Sequence, residues 1–308
     1  MKAARGMQTG YMSEQIALFF ASRKALTCLY QLEGRMNWIA MNWTMVQQTP
    51  EGNPERRHFT IRTIIVIPTY NESGNLLALV DQIVSLSVDD LHVVIVDDNS
   101  PDGTGDLADQ IARRNPNVHV RHRPAKLGLG TAYIAGFRHA FALAADRIIT
   151  MDADFSHRPR YIPQLIARSR EDDLVIGSRY VDGGGTRFCG LGRRLLSRGA
   201  NVFARNILGL HAHDCTAGFR CYRRKVLEAI DLDKIFSDGY SFLIEMLYKC
   251  QARGFRVGEV PITFEDRRQG QSKISRQEIF KAAYTVIRLR WEASFDAPFP
   301  ELQRGRGQ

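Results

Sequence analysis

No apolar run in this 308-residue chain approaches the roughly 18 residues that a membrane-spanning helix needs, so no transmembrane helix is expected. The short run Ile16 to Phe20 is followed by Arg23 and Lys24 rather than a small-residue cleavage site, so a secretory leader is not expected either. Cysteine is scarce. There are five, Cys28, Cys189, Cys215, Cys221 and Cys250, and no Cys-x-x-Cys. An odd count without scaffold spacing favours a reducing compartment, and the expected location is the cytosol. His211, His213, Cys215 and Cys221 cluster in sequence, but their spacing fits no common structural zinc site. No Gly-x-x-x-x-Gly-Lys is present, which argues against P-loop chemistry. Gly128-Leu129-Gly130 follows the third predicted strand and lacks a third glycine, so it reads as a close turn and helix start rather than a dinucleotide fingerprint.

What is present is ordinary for a globular protein, 44% hydrophobic and 24% charged residues, with a formal net charge of +9. A basic balance means either solubility or an anionic partner. The positive charge is uneven. Arg187, Arg193, Arg194, Arg198 and Arg205 fall in a stretch with no acid, and basic residues dominate 267–290. These stretches lack interleaved aromatics on strands and any recognition motif, so nucleic acid is not an expected partner.

Residues 1–60 show no clear period. Gln47 to Arg57, with Pro50, Gly52 and Pro54, reads as a linker. The expected organisation is an N-terminal extension and linker at 1–60, one catalytic-size domain at 61–291 and a tail at 292–308. Within the domain, apolar runs at 61–67, 91–96, 118–121, 147–151 and 174–176 alternate with segments of helical period. That rhythm predicts an α/β fold with a doubly wound, largely parallel sheet. The runs are continuous rather than alternating, as burial on both faces requires.

In such sheets ligands bind beyond the carboxyl ends of the strands. Three predicted strand ends carry polar punctuation: Pro68 to Glu72, Asp97 to Thr104, and Asp152 to His157. Asp152 and Asp154 are two apart, and in an extended backbone such residues point to one side. Paired carboxylate oxygens suit Mg²⁺ or Mn²⁺, with water and substrate phosphates completing the shell. Asp97 and Asp102 fit turn and capping roles. Asp98 fits either a cap or an acceptor for a nucleobase or ribose.

Ile-Pro-Thr-Tyr-Asn-Glu from Ile67, Val-Asp-Asp-Asn-Ser-Pro-Asp-Gly-Thr from Val96, and Met-Asp-Ala-Asp-Phe-Ser-His-Arg-Pro from Met151 resemble the family 2 glycosyltransferases of GT-A fold. Four downstream pieces narrow the resemblance: Leu196 to Asn201, Asp214 to Arg220, Gly258 to Ile262, and Asp266 to Lys273. Together they resemble the dolichol-phosphate mannosyltransferases, also called polyprenol-phosphate mannose synthases, over about Ile64 to Arg290. The resemblance implies that Pro68, Tyr70, Glu72, Val96 and Asp98 line a guanosine pocket. It implies that Asp152, Ala153 and Asp154 hold metal and sugar nucleotide. Ser156 stands where some relatives place a glutamine that contacts the metal. Arg179, Arg267 and Lys273 would bind phosphates, and Arg193, Ser197 and Arg198 would face a lipid phosphate.

The implied reaction moves mannose from GDP-mannose to dolichyl or polyprenyl monophosphate. The nucleophile is a phosphate oxygen, anionic near neutral pH, so no general base is required and no histidine is nominated. Arg267 and Lys273, with Gly270 between them, would close over the phosphates, and direct displacement would give a β-linked product. The acceptor implies a peripheral protein on the cytoplasmic face of a membrane, helped by a separate transmembrane subunit. Residues 192–208 and 279–291 mix apolar and basic residues. Each reads either as an interfacial helix or as a core face with solvated arginines. Two rival readings stand: a UDP-sugar enzyme using the same lipid phosphate, and a non-catalytic sugar-nucleotide-binding subunit.

Overall fold

The computed structural model describes residues 60–188, 190–265 and 276–296. The expected extension and linker (residue 60 apart), Arg267, Gly270 and Lys273, and the tail beyond 296 lie outside the described residues.

The β-branched runs become strands because their side chains fit a pleated surface. β1 (Thr63–Thr69), β2 (Leu91–Asp97), β3 (Val118–His122) and β4 (Arg147–Thr150) form a parallel block in the spatial order β3-β2-β1-β4. β5 (Leu174–Ser178) pairs in parallel with the last strand of this sheet, β8 (Val257–Pro261). Between the two blocks lies β7 (Arg220–Arg223), antiparallel to both β4 and β5. A short parallel pair, β6 (Gly185–Arg187) with β9 (Thr263–Glu265), stands apart from the main sheet.

The expected largely parallel sheet is thus present, with one departure. β7 reads Arg-Cys-Tyr-Arg and has no apolar run to announce it. β4 also stops at Thr150, one residue earlier than the apolar run suggests.

Strand residues sort by parity onto the two faces. Ile64, Val66, Val94, Val96, Ile148 and Tyr222 enter one core, while Ile65, Ile67, Val93, Ile95, Ile149 and Cys221 enter the other. α1 (Ser73–Val84), α2 (Thr104–Arg114) and α4 (Ile162–Arg168) cover the second face through Leu76, Leu79, Ala108, Ile111 and Leu165. α3 (Leu129–Ala142) and α7 (Tyr240–Ala252) cover the first through Tyr133, Phe137, Phe242 and Leu247. α3 can approach β1 only because position 136 is glycine: a Cβ there would sit 2.2 Å from Val66 Cγ1. α6 (Arg224–Ala229) follows β7 directly. α5 (Leu191–Leu208) and α8 (Arg276–Asp296) touch each other and contribute Ala204, Leu208, Val286 and Leu289 to the first core. α8 runs to Asp296, beyond the predicted domain end at 291. Among the described residues, no helix is long and apolar enough to cross a membrane.

Candidate active site

Parallel pairing of β1, β2 and β4 brings the three polar strand ends to one edge of the sheet. A cavity of about 820 Å³ opens there. Pro68, Tyr70, Glu72, Asp98, Asp152, Ala153 and Arg179 line it, so the strand-end residues expected to converge do so. Val96 does not. Its side chain is fully buried in the core and would lie 3.2 Å from a Cβ at Gly136. Even parity on β2 sends it under α3, and only the residues past the strand end are free to face a ligand.

The Asp152–Asp154 segment is not extended. After β4 the chain bends, and Phe155 adopts a positive φ of 62°. The carboxylates therefore do different jobs here. Asp152 lines the cavity, and its Oδ1 accepts from the Tyr133 hydroxyl at 3.1 Å. Asp154 does not line the cavity; its Oδ1 accepts from the Ser156 backbone N–H at 3.0 Å and tightens the bend. The same-side expectation fails because it assumed strand geometry where the chain already turns.

His157 sits beneath Asp152, almost fully buried, with its ring stacked on Phe219 at 5.1 Å. Its Nδ1 accepts the Asp152 backbone N–H at 3.1 Å. A histidine thus does belong to the site, where the sequence reading found none to nominate, and its bonding role is to hold the Asp152 backbone.

Among the described residues, no three His, Cys, Asp or Glu side chains converge as a closed metal site. Asp152 at the cavity and Asp154 on the bend beside it each offer hard carboxylate oxygens, and neither side chain is fully buried. Beside them the Ser156 Oγ is buried and has no hydrogen-bond partner among the described residues. Such oxygens fit a hard cation that draws its remaining ligands from substrate phosphate and water. The His211, His213, Cys215 and Cys221 cluster does not assemble: His213 pairs with Glu259, and both thiols are buried. Burial pushes the Cys215 thiol up to about 12 and the Cys221 thiol up to about 11.

At the β2 end, Asp98 is buried against Arg123, with Oδ1 2.7 Å from Nη1. Burial raises the Asp98 carboxyl above its ordinary range, although Arg123 pulls the other way. Arg123 Nη2 also donates to Thr131 Oγ1 at 2.6 Å, which anchors the pair to α3. Tyr70 faces the cavity with Lys126 Nζ 4.0 Å above its ring centroid. The Glu72 side chain accepts from Asn75 at 2.9 Å and its backbone N–H donates to Thr104 Oγ1. Asp97 and Asp102 take the structural roles expected of them. Asp97 accepts from Thr69 and Ser100, and Asp102 binds the Ser73 and Thr104 backbone N–H groups at the starts of α1 and α2.

Arg179 is held in place by Asp214. Two parallel hydrogen bonds of 2.7 Å join Nε and Nη2 to the carboxylate, and Nη2 also donates to Thr216 Oγ1 at 2.8 Å. Burial works against both charges, but the contact prevails: it holds the Asp214 carboxyl below its usual range and the Arg179 guanidinium above its own. Among the described residues, Nη1 has no hydrogen-bond partner. Next to it, Tyr180 donates its hydroxyl to Ser197 Oγ at 2.8 Å. Ser197 and Arg194 line the cavity, whereas Arg198 is exposed and does not. Positions 194 and 197 share a helix face at i, i+3. The Arg193 side chain lies outside the described residues, as do Arg267 and Lys273.

Residues 64–231 match the Glycosyl transferase family 2 profile, more than half of the chain. The chain belongs to glycosyl transferase family 2. It is 47% identical over 237 residues to the polyprenol monophosphomannose synthase of Mycolicibacterium smegmatis, covering 75% of this chain and 89% of that one. It is 44% identical over 236 residues to the undecaprenyl-phosphate mannosyltransferase of Micrococcus luteus, covering 75% and 97%. Among solved structures, glucosyl-3-phosphoglycerate synthase of Mycobacterium tuberculosis, in complex with Mn²⁺, UDP and its product, superposes with a TM-score of 0.54 at 20% identity. That likeness covers 74% of this chain and 79% of the neighbour, and it bears on the fold alone, which is of the GT-A kind.

Sequence reasoning missed Tyr133, Arg123, Lys126 and Arg220. Tyr133 lies among helical apolar residues and reads as core. Arg123 and Lys126 flank the glycine turn, and as two charges between Arg121 and Gly128 they look solvated. Arg220 is fully buried and donates to the carbonyls of Ala217, Leu243 and Cys215, fixing the Thr216 to Gly218 floor of the cavity. Its only early signal was its place in the Asp214 to Arg220 motif.

Proposed function

We propose that the chain transfers mannose from GDP-mannose to a polyprenyl or dolichyl monophosphate, with inversion to a β-linked lipid phosphate sugar. The observation that carries this reading is that one cavity has two unlike ends. Asp98, Asp152 and Arg179 supply charge at the strand ends, while Leu195, Leu196, Phe203, Ala282 and Val286 of α5 and α8 supply an apolar wall. A nucleotide sugar suits the first end and a polyprenyl phosphate the second. The named activities of the two curated relatives support the same pairing.

In this reading Pro68, Tyr70, Glu72 and Asp98 bind the nucleoside, with Arg123 holding the Asp98 carboxylate in place. Ala153 offers backbone at the sugar diphosphate. Arg179, fixed by Asp214, presents positive charge toward the phosphates without having to reorganise, which is how preorganised charge lowers a barrier. Arg194 and Ser197 face the lipid phosphate, whose anionic oxygen attacks the anomeric carbon directly as the diphosphate departs. Asp152 and Asp154, with Ser156 beside them, would hold Mg²⁺ or Mn²⁺. A bound cation supplies Lewis-acid stabilisation of the departing diphosphate. The solved neighbours' complexes with Mn²⁺ or Mg²⁺ and UDP lend support from the fold family. Arg267 and Lys273 complete the phosphate set, and 61–291 is the catalytic domain. The acceptor makes the protein peripheral to a membrane, on its cytoplasmic face, with a separate transmembrane subunit as partner.

The test is transfer of labelled sugar to short-chain polyprenyl phosphate from GDP-mannose and, in parallel, UDP-glucose, with Asp154→Asn as control. Metal-dependent labelling from GDP-mannose alone, lost in the variant, is the expected result. Labelling from UDP-glucose alone would move the donor to a UDP-sugar. Nucleotide binding without transfer from either donor, in the presence of membranes, would favour a non-catalytic binding subunit.

A further inference from the structure

We propose that Tyr133 is a positioning residue for Asp152: its hydroxyl engages Oδ1, so that Oδ2 is the oxygen presented to a divalent cation. The proposal rests on the metal reading above and adds a member that touches neither substrate nor metal.

Tyr133 is completely buried on α3. Its ring lies near-parallel to those of Phe137 and Phe242, with centroids 6.2 and 6.0 Å away and interplanar angles of 19° and 13°. A ring packed against two others in a fully buried site has little freedom, and its hydroxyl lies 3.1 Å from Asp152 Oδ1. On the opposite side the Asp152 backbone N–H is bound by His157 Nδ1. Backbone N–H and Oδ1 are thus both hydrogen-bonded to the protein, whereas Oδ2 has His157 Nδ1 only at 3.8 Å, beyond hydrogen-bond distance, and the side chain is 35% exposed. A carboxylate restrained in this way offers one oxygen in a fixed direction. Partners of this kind around a metal ligand typically change metal affinity about 10- to 100-fold when removed.

Tyr133→Phe deletes one oxygen and keeps the ring. Mn²⁺ binding would be titrated by electron paramagnetic resonance in the presence of GDP, with thermal unfolding measured in parallel. We expect Mn²⁺ affinity to fall by about tenfold. Tyr222→Phe is the structural control. That phenol is equally buried, packs edge-on against Phe137 and lies 3.4 Å from Arg220, without touching Asp152. It should lower stability and leave Mn²⁺ affinity at the wild-type value. If Tyr133→Phe fails to fold, Tyr133→fluorotyrosine keeps the shape and makes a stronger donor, which drains charge from Asp152 and should weaken Mn²⁺ binding. Wild-type affinity in a folded Tyr133 variant, or equal losses in the Tyr133 and Tyr222 variants, would overturn the proposal alone. Wild-type protein that takes up no Mn²⁺ would overturn the metal reading and this proposal together.

Discussion

Asp214 is 0% exposed at its side chain, and Arg179 only 14%. Each charge is tolerable in that setting only because the other is present. Removing one partner leaves an uncompensated buried charge, which typically costs about 3–5 kcal/mol. Asp214→Asn should therefore lower unfolding free energy by roughly that amount in urea titrations. It should also depress transfer, because Arg179 loses its orientation. Unchanged stability would mean that water reaches the pair. Arg179 was legible in the sequence: a charge that follows an apolar strand and Gly177-Ser178 is poorly placed to be merely solvated. Its partner was not, because 35 residues separate the two and no local pattern links them. The same holds for Tyr133 and Asp152. Local chemistry announces a functional type, while the residue that orients it comes from another element and carries no local mark.

At the scale of elements, β2, β3 and α3 meet at an edge that carries three histidines. His92 Nδ1 lies 3.2 Å from His119 Nε2, and the His119 and His139 rings are 6.1 Å apart. Asp90 faces His92 at 3.0 Å, while Arg62 and Arg121 bring positive charge nearby. Burial first, then positive charge on His92, His139 and Arg62, lowers the His119 pKa below its ordinary 6.5, and burial with Arg121 moves His139 the same way. A histidine depressed in the folded state binds its proton more readily when unfolded. The resulting stability is present above pH 6.5 and is lost as pH falls through the lowered value. Unfolding free energy should therefore decline between neutral and mildly acidic pH, and His119→Gln should flatten that decline. A profile identical in the variant would remove His119 as the cause. Sequence patterning gave parallel strands and their helices, because apolar runs and helical spacing are local. It gave five of the strands and not β6, β8 or β9, nor β7, whose four residues are strand because β4 and β5 accept them on either side.

At the scale of the molecule, α5 and α8 expose Leu195 at 69%, Phe280 at 73% and Trp291 at 66%. Phe203, Ile207, Tyr284 and Ile287 are also exposed. A core-face reading of these two helices accounts for Ala204, Leu208, Val286 and Leu289, the cavity wall accounts for Leu195 and Phe203, and Ile207, Phe280, Tyr284, Ile287 and Trp291 belong to neither. With Arg194, Arg198, Lys281 and Arg290 around them, they make a face suited to an anionic bilayer, where each well-placed basic residue adds about 1 kcal/mol. The protein should sediment with anionic vesicles at low salt, less so at high salt, and Leu195→Asp or Trp291→Asp should weaken that binding. Full recovery in the supernatant at low salt would count against membrane attachment. Patterning made the mixture of apolar and basic residues visible, but only the packing divides inner from outer. The seven-stranded sheet, finally, has an unusual assembly order. Among the described residues, β7 alone joins the β3-β2-β1-β4 block to the β5-β8 pair. A nascent chain that has emerged only as far as residue 219 can complete the first four strands, and β5 then has neither of its neighbours. The central seam closes late in synthesis, and the floor of the cavity, fixed by Arg220 at the start of that seam, is among the last parts of the site to form.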